Sequence, residues 1–408
     1  MRTQIGKTQG FMFMVKIINP ILVGLVVVYC LALSGCSARA VKGDLDDKQV
    51  GGLRILLTHF ETPDHKEMRL WFSAPNIIFE DMTGIYWAGN LIGIYKYDEK
   101  RDQWLRGAER HDEKSFEAVA AICQDKKGNV WVLSGLDPDA YYFDGRSWHK
   151  PLSIKPTTAL RAMFQGRNGK VWFVLDEEMV AYDGDNWTSV VKPSEVIAQA
   201  YNKLKIGKID YLLSERVKPS GRIPKNKRQN VDKGKTKSTV PFSDILSGLH
   251  DRKGNIWLGT EKAILRFMED KQEWKVYGLP DRLREAFSIY EDRWGRVWFA
   301  DAFGQVSVYD ETQDNWATYR VVDYIKKNNP DRFNSTFYVK AIYQDKNGRM
   351  MFATKEGLII FQENNNQWQI FDSQNSDLPR DNITSIFEDK AGRVWMGITG
   401  GIVILEVP

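Results

Sequence analysis

Cysteine is almost missing from this sequence. The 408 residues contain three, Cys30, Cys36 and Cys123. Cys30 lies inside an apolar leader and Cys36 ends it. Cys123 is thus the one thiol left in the body, and no disulfide can join two body cysteines. It falls on a strand-like stretch, where a buried, inert thiol is expected. Histidine is scarce too: His59, His65, His111, His149 and His250, no two spaced like metal ligands on one element. There is no Gly-x-Ser-x-Gly elbow, no phosphate-cradling glycine loop and no Cys–His pairing. No metal and no cofactor is implied. An aromatic–basic platform is also lacking, which argues against nucleic acid as a partner.

Long apolar runs are absent but for one. Residues 17–34 are apolar apart from Asn19, Ser34 and the Tyr29 hydroxyl, and Lys7 and Lys16 precede them. A basic start, an apolar middle and small residues before a cut make a secretory signal. The segment ends Leu33-Ser34-Gly35-Cys36, which resembles the lipobox of bacterial lipoproteins, whose cysteine is acylated and becomes the new N-terminus. Two or three acyl chains would anchor the protein stably, at about 0.8 kcal/mol per buried CH₂. An uncleaved membrane helix is the alternative, opposed by Pro20 and Gly24. By the same resemblance, Ser37 after the cysteine favours the outer membrane, with the body facing the periplasm. The expected division is a lipoprotein signal over 1–35, a polar tether over 36–50 and a folded body over 51–408.

The net charge of +4 hides an uneven spread. Residues 1–35 carry +3 and residues 201–240 carry +9, which leaves −8 on the rest. The body is mildly acidic, with one basic interruption.

Seven copies of one pattern are what the chain does have: apolar–x–x–Asp–x–x–Gly–x–x–Trp. They centre on Gly84, Gly128, Gly169, Gly254, Gly295, Gly348 and Gly392, at intervals of 44, 41, 85, 41, 53 and 44 residues. A period in the low forties, dense in strand signals, predicts a radial β-repeat with one blade per unit. In the copy at 286–319 the alternating stretch 286–290 forms the inner strand. Asp292–Gly295 turns, and Val297–Ala300, Val306–Tyr309 and Trp316–Tyr319 complete four strands. The turn aspartate recurs as Asp81, Asp125, Asp251, Asp292, Asp345 and Asp389, with Gly166 in its place once. A second-strand Trp recurs at 87, 131, 172, 257, 298 and 395, with Met351 standing in once. An outer-strand Trp recurs at 104, 148, 187, 274, 316 and 368. Such rings are expected to fill the wedges between blades. The seventh copy stops after three strands, and Leu53–Phe60 fits as its missing outer strand. The fold expected is therefore all-β: a seven-bladed β-propeller closed by an N-terminal outer strand.

These units resemble the two-component regulator propeller repeat. Ile386-Phe387-Glu388-Asp389-Lys390-Ala391-Gly392-Arg393-Val394-Trp395-Met396-Gly397 matches it closely, and Ile256-Trp257-Leu258-Gly259-Thr260 is another good copy. In that family the repeats commonly form periplasmic sensor domains ahead of a membrane helix and a histidine kinase. This chain shows neither, so the resemblance implies a propeller that binds a ligand or partner, not a kinase. Neuraminidase-type and quinone-dependent propellers space their Asp, Gly and Trp differently. Streptogramin-inactivating lyases are seven-bladed and use a histidine, but no corresponding motif appears.

The 85-residue interval could hide an eighth blade. Residues 197–240 show neither the pattern nor strand alternation, so an insertion is expected there, with a basic loop over 218–238. Lys225, Lys227, Arg228, Lys233 and Lys235 are its candidate contacts for anionic headgroups or an acidic protein.

Propeller sites lie where the central channel opens. The turns between second and third strands offer Asp139, Asp176, Glu177, Glu261, Asp301 and Glu356, an acidic rim suited to a cation, an amine or a basic protein. His250 stands before Asp251 where other copies have Glu or Gln, which suggests a structural role. The function expected is a lipid-anchored envelope propeller, non-catalytic, acting as a sensor or scaffold for an envelope protein or small molecule. The alternative is a propeller enzyme, a lyase or glycan-active enzyme, with its site at the channel mouth.

Overall fold

In the computed structural model the chain divides into two compact units, Met1–Asp47 and Lys48–Pro408. The structure describes residues 54–59, 75–91, 93–98, 100, 103–107, 116, 118–134, 139–151, 160–175, 178–190, 245–280, 283–328 and 338–406, all in the second unit. Cys36, the tether and the basic segment fall outside the described residues.

The described residues form seven four-stranded antiparallel sheets. In six of them the strands follow chain order. Blade six, for example, runs Val339–Gln344, Met350–Thr354, Gly357–Gln362 and Gln367–Phe371. The seventh takes Ile383–Glu388, Val394–Ile398 and Gly401–Glu406 from the C-terminus and Arg54–His59 from the N-terminus. Arg54 pairs with Glu406 and His59 with Gly401, with no slip between. The ring is closed by the N-terminal strand, which completes the fourth strand of blade seven.

First strands of successive blades lie against one another all the way round, including blade seven on blade one and blade three on blade four. They therefore line the axis. Blades three and four are in direct contact, as neighbours in the ring. Second strands are buried along their whole length, as in Tyr86–Gly89, Val171–Leu175, Met350–Thr354 and Val394–Ile398. Each blade is covered on both faces, so these strands read as near-continuous apolar runs. Outer strands alternate, as Glu273–Gly278 and Gln367–Phe371 show, because one face meets water.

The core is divided accordingly into seven apolar clusters, one in each wedge between neighbouring blades. The recurring Trp residues belong to them. Trp104 of blade one, for instance, is fully buried with Trp395 of blade seven. The 53-residue interval holds an element that the repeat pattern does not predict, a short helix α1 (Val321–Asn328) after the outer strand of blade five. Its Val321, Val322 and Ile325 are buried in the wedge between blades five and six.

Candidate functional site at the channel mouth

Most of the recurring polar residues are scaffold. Asp292 Oδ1 accepts the Trp294 and Arg296 backbone N–H groups at 3.0 and 2.9 Å, and its Oδ2 accepts Trp298 Nε1 at 2.9 Å. One carboxylate thus closes the turn and anchors the indole six residues on. Asp81, Asp125 and Asp251 also bind their Trp at 2.9, 2.9 and 2.7 Å, and Asp389 does so at 2.8 Å. In blade six, where Met351 replaces Trp, Asp345 Oδ2 keeps the Arg349 Nε donor at 2.6 Å, as Asp292 and Asp389 keep Arg296 and Arg393 beside their Trp. Gly295 sits at φ +80° to complete its turn, a conformation glycine adopts without strain.

In five blades the residue before the turn aspartate straps neighbouring blades together. Gln124 accepts the Met82 N–H at 2.7 Å, Glu291 that of Arg252 at 3.0 Å, Gln344 that of Arg293 at 2.8 Å and Glu80 that of Lys390 at 2.9 Å. His250 does the same for Arg167 through Nδ1, at 3.3 Å. Its structural role follows from that position.

Site chemistry is found at the other end of the first strands. Five blades carry a β-bulge there, between Val119 and Ala121, Leu160 and Ala162, Ile245 and Ser247, Val339 and Ala341, and Ile383 and Ser385. Phe287 and Ser288 both oppose Ala300, and Asn76 and Ile77 both oppose Gly89, so the other two blades repeat the geometry. The unpaired residue is Asn76, Ala120, Arg161, Leu246, Phe287, Lys340 or Thr384. Flanking residues such as Val119, Val339 and Ile383 are buried in the wedges. Ala120 and Arg161 are exposed, and Leu246, Phe287, Lys340 and Thr384 are half-buried. A bulge turns one side chain out of the ladder, and these seven stand on the first strands, which line the axis. Each of the seven stands five residues before its turn aspartate, or before Gly166 in blade three. That fixed count is the signal by which the sequence marks the position.

The rim residues expected from sequence are only partly assembled there. Asp301 has no exposed surface. Its carboxylate accepts the Phe303 and Gln305 N–H groups at 2.8 Å each and the Arg284 N–H at 3.1 Å. Burial pushes its pKa up. It caps the turn, as Thr260 and Thr354 do in blades four and six, and does not offer a carboxylate to a ligand. Asp139 is ion-paired with Lys150. Glu261 is half-buried in the turn after Thr260. Glu356 is half-buried and lies 3.8 Å from Lys355. Asp176 and Glu177 are outside the described residues. The acidic rim thus resolves into turn caps and ion pairs, while the axis receives the cations Arg161 and Lys340.

Lys340 is the most constrained of these. Its Nζ donates to Asn382 Oδ1 at 2.7 Å. Asn382 is fixed in turn by Nδ2 on Thr399 Oγ1 at 2.7 Å and by its carbonyl, which accepts the Thr399 N–H at 3.1 Å. Burial, with Lys355 nearby, brings the Lys340 pKa down to about 8. Phe287 and Tyr338 meet edge to face beside it, with centroids 6.4 Å apart. Cys123 is buried and its thiol is pushed up by burial, as an inert thiol should be. Among the described residues no group of three or more His, Cys, Asp or Glu side chains converges on a metal position.

One open cleft, of about 740 Å³, lies between blades five and six at the turn-aspartate end. Trp294, 58% exposed, forms one wall, with Arg296 and Arg349 beside it. Arg296 is held by Asp292 at 2.7 Å and by Glu363 at 2.9 and 2.6 Å, so its charge is satisfied inside the protein.

Residues 377–400 match the family model described as two component regulator propeller. No curated protein matches the sequence. Among solved structures, the extracellular domain of a Bacteroides thetaiotaomicron protein assigned to the hybrid two-component systems superposes with TM-score 0.55 at 18% identity. That match covers 81% of this chain and 38% of the other, so the chain spans well under half of that domain. Virginiamycin B lyase from Staphylococcus aureus, solved with quinupristin, gives TM-score 0.58 at 12% identity over 87% of this chain and all of the lyase. YCF48 bound to D1 peptide gives 0.56 at 13%, over 88% and 96%. At these identities the likeness is one of fold. Among the described residues, no helix is long and apolar enough to cross a membrane.

Proposed function

We propose, from a chain whose repeat is that of the two-component regulator propellers, that the protein is a non-catalytic binding propeller of the cell envelope. Acyl chains on Cys36 hold it to the outer membrane, and a ligand or partner protein docks at the channel mouth. The signal spans 1–35, the tether 36–50 and the propeller 51–408, with residues 197–240 as an insertion. The observation that carries this reading is the seven-fold bulge position. Turn, strap and wedge positions repeat from blade to blade, but this one holds seven different residues: Asn, Ala, Arg, Leu, Phe, Lys and Thr. A position free to differ from blade to blade and gathered round one axis is where a fold of repeats can acquire specificity.

Lys225, Lys227, Arg228, Lys233 and Lys235 would add an electrostatic contact with headgroups or an acidic partner. The similar propellers with quinupristin and with D1 peptide support a fold able to hold small and peptide ligands. The enzyme reading places a lyase or glycan-active site at the same mouth, with Lys340 as its candidate group.

Crosslinked capture from envelope membranes tests the reading. Wild type is compared with Arg161→Ala/Phe287→Ala and with a deletion of 203–238. Loss of the captured species in the mouth variant supports the mouth. Loss in the deletion alone moves the contact to the basic segment, and turnover of a captured small molecule favours the enzyme.

A further inference from the structure

We propose that Leu246, Phe287 and Tyr338 form an apolar cradle at the channel mouth, between Arg161 on one side and Lys340 on the other. Its occupant is an acidic peptide segment of a partner protein with an aromatic residue at its centre. The inference rests on the channel mouth being the binding site and names the chemistry it selects.

A first strand has a wedge on each face, the second strand at one edge and the axis at the other. Leu249 and Ile289, half-buried on the first strands of blades four and five, pack into a wedge cluster. Leu246 and Phe287 stand on the same stretches of chain and are half-buried too, yet they belong to none of the seven clusters. Tyr338, half-buried where the chain enters the first strand of blade six, is outside them as well. The bulges take Leu246 and Phe287 out of the ladder. With both faces and the paired edge accounted for, the side left to them is the axis. Phe287 and Tyr338 meet across the border of blades five and six, edge to face, with centroids 6.4 Å apart. The first strands of blades four, five and six are neighbours, so the three residues make one apolar arc.

The bulge ring carries charge of one sign. Arg161, exposed, holds the bulge position of blade three, beside blade four, and Lys340 holds that of blade six. Among the seven bulge residues two are cations and none is an acid. The acids Glu261, Glu285 and Glu356 stand on connecting segments instead, and Asp301 is buried. Asn76, Ala120 and Thr384, across blades seven, one and two, are small and uncharged. Bulk, apolar surface and charge therefore gather on one side of the ring. Apolar surface that no core takes up marks a binding site. Aromatic rings in it offer another ring a large contact in a favoured edge or offset geometry. Cations on both sides of an apolar centre repel a basic segment and favour acids on both sides of an aromatic one. A ligand that meets both cations spans four blades, which a stretch of chain can do and a single ring with one acid cannot.

The test presents the wild-type mature chain with an array of short peptides. Their central residue is Phe, Trp, Leu or Ala, and their flanks are Glu, Gln or Lys. Peptides with Phe or Trp between Glu flanks should bind best, and a central Ala or Lys flanks should weaken binding by about tenfold or more. Phe287→Ala should remove the preference for an aromatic centre and keep that for Glu flanks, and Leu246→Asn should do the same more weakly. Arg161→Gln combined with Lys340→Gln should do the reverse. Circular dichroism checks that each variant is folded. No preference for acid-flanked aromatics in wild type, or a preference that all the variants keep, overturns the proposal. Competition by phenylacetate as strong as by the best peptide would make the occupant a small aromatic acid and overturn the peptide. Where the array shows no preference but envelope capture still depends on Arg161 and Phe287, the mouth stands as the site and only this chemistry falls.

Discussion

His250 occupies the space that Gly166 leaves empty. A Cβ on Gly166 would lie 2.7 Å from His250 Nδ1 and 2.9 Å from Trp172 Nε1. Blade three is thus the one blade without its turn aspartate. The neighbouring blade sends an imidazole instead of a glutamine or glutamate, and Trp172 Nε1 is left without an acceptor among the described residues. His250 Nε2 lies 3.1 Å from Glu269, whose pKa is held down first by that hydrogen bond. Gly166→Ala should cost about 1–3 kcal/mol by overpacking. In combination with His250→Gln the cost should shrink, because the amide can retreat from the new methyl. Urea denaturation of the two single variants and the double variant measures the coupling. Strict additivity would show that the two sites are independent.

The turn carboxylates should be the most sensitive polar groups in the fold. Asp292→Ala removes the acceptor for Trp298 Nε1 and two backbone N–H groups and leaves Arg296 with Glu363 alone. A loss of about 3–5 kcal/mol is expected, as for breaking a buried charge network. The equivalent change at the exposed Asp270 should stay within about 0.5 kcal/mol. Chemical denaturation compares them, and similar losses would remove the scaffold role.

Ring closure predicts that blades one and seven melt together. Deleting residues 51–60 strips the strand that pairs with Gly401–Glu406 along its whole length. Thermal unfolding by circular dichroism should show a midpoint lower by about 10 °C or more. An unchanged midpoint would mean that the N-terminal strand is dispensable.

Lys340 makes stability depend on pH in a set direction. Its folded pKa is about 8, against a model-peptide value of 10.5. The unfolded chain therefore binds more protons between those values, and stability rises with pH across that window. The burial penalty is fully present below about pH 8. Lys340→Met should stabilise the protein at pH 7, by up to about 3 kcal/mol, and lose that advantage as pH climbs towards 10.5. Parallel stability–pH curves for wild type and variant would contradict this.

The anchor is tested separately. Labelled palmitate fed to expressing cells should enter wild type and not Cys36→Ala, and the variant should leave the membrane fraction. Equal labelling would return the leader to the uncleaved-helix alternative.

How much of this could be read beforehand differs by kind of position. Asp292, Gly295 and Trp298 were legible because each answers a local requirement that recurs in every blade: a cap, a positive φ, an indole donor. The closing strand was legible because Leu57-Thr58-His59-Phe60 repeats the spacing of the other outer strands. Helix α1 was not, since its eight residues sit in extra length that no other copy shares. Turn residues such as Asp301 look exposed in a sequence, whereas here they cap the chain inside. Lys340 and Arg161 stand on strands, where alternation alone assigns them a face and only the bulge brings them to the axis.

The most direct measurement places a photo-crosslinking residue at Phe287, on the mouth, and in a second protein at Trp294, beside the cleft, seven residues on in the same blade and two past the turn aspartate. Phe287 and the turn aspartate Asp292, at the two ends of that strand, are about 16 Å apart along it. Capture of an envelope component or ligand from position 287, with little from 294, is the predicted result. Capture from 294 and none from 287 would contradict a binding site at the channel mouth.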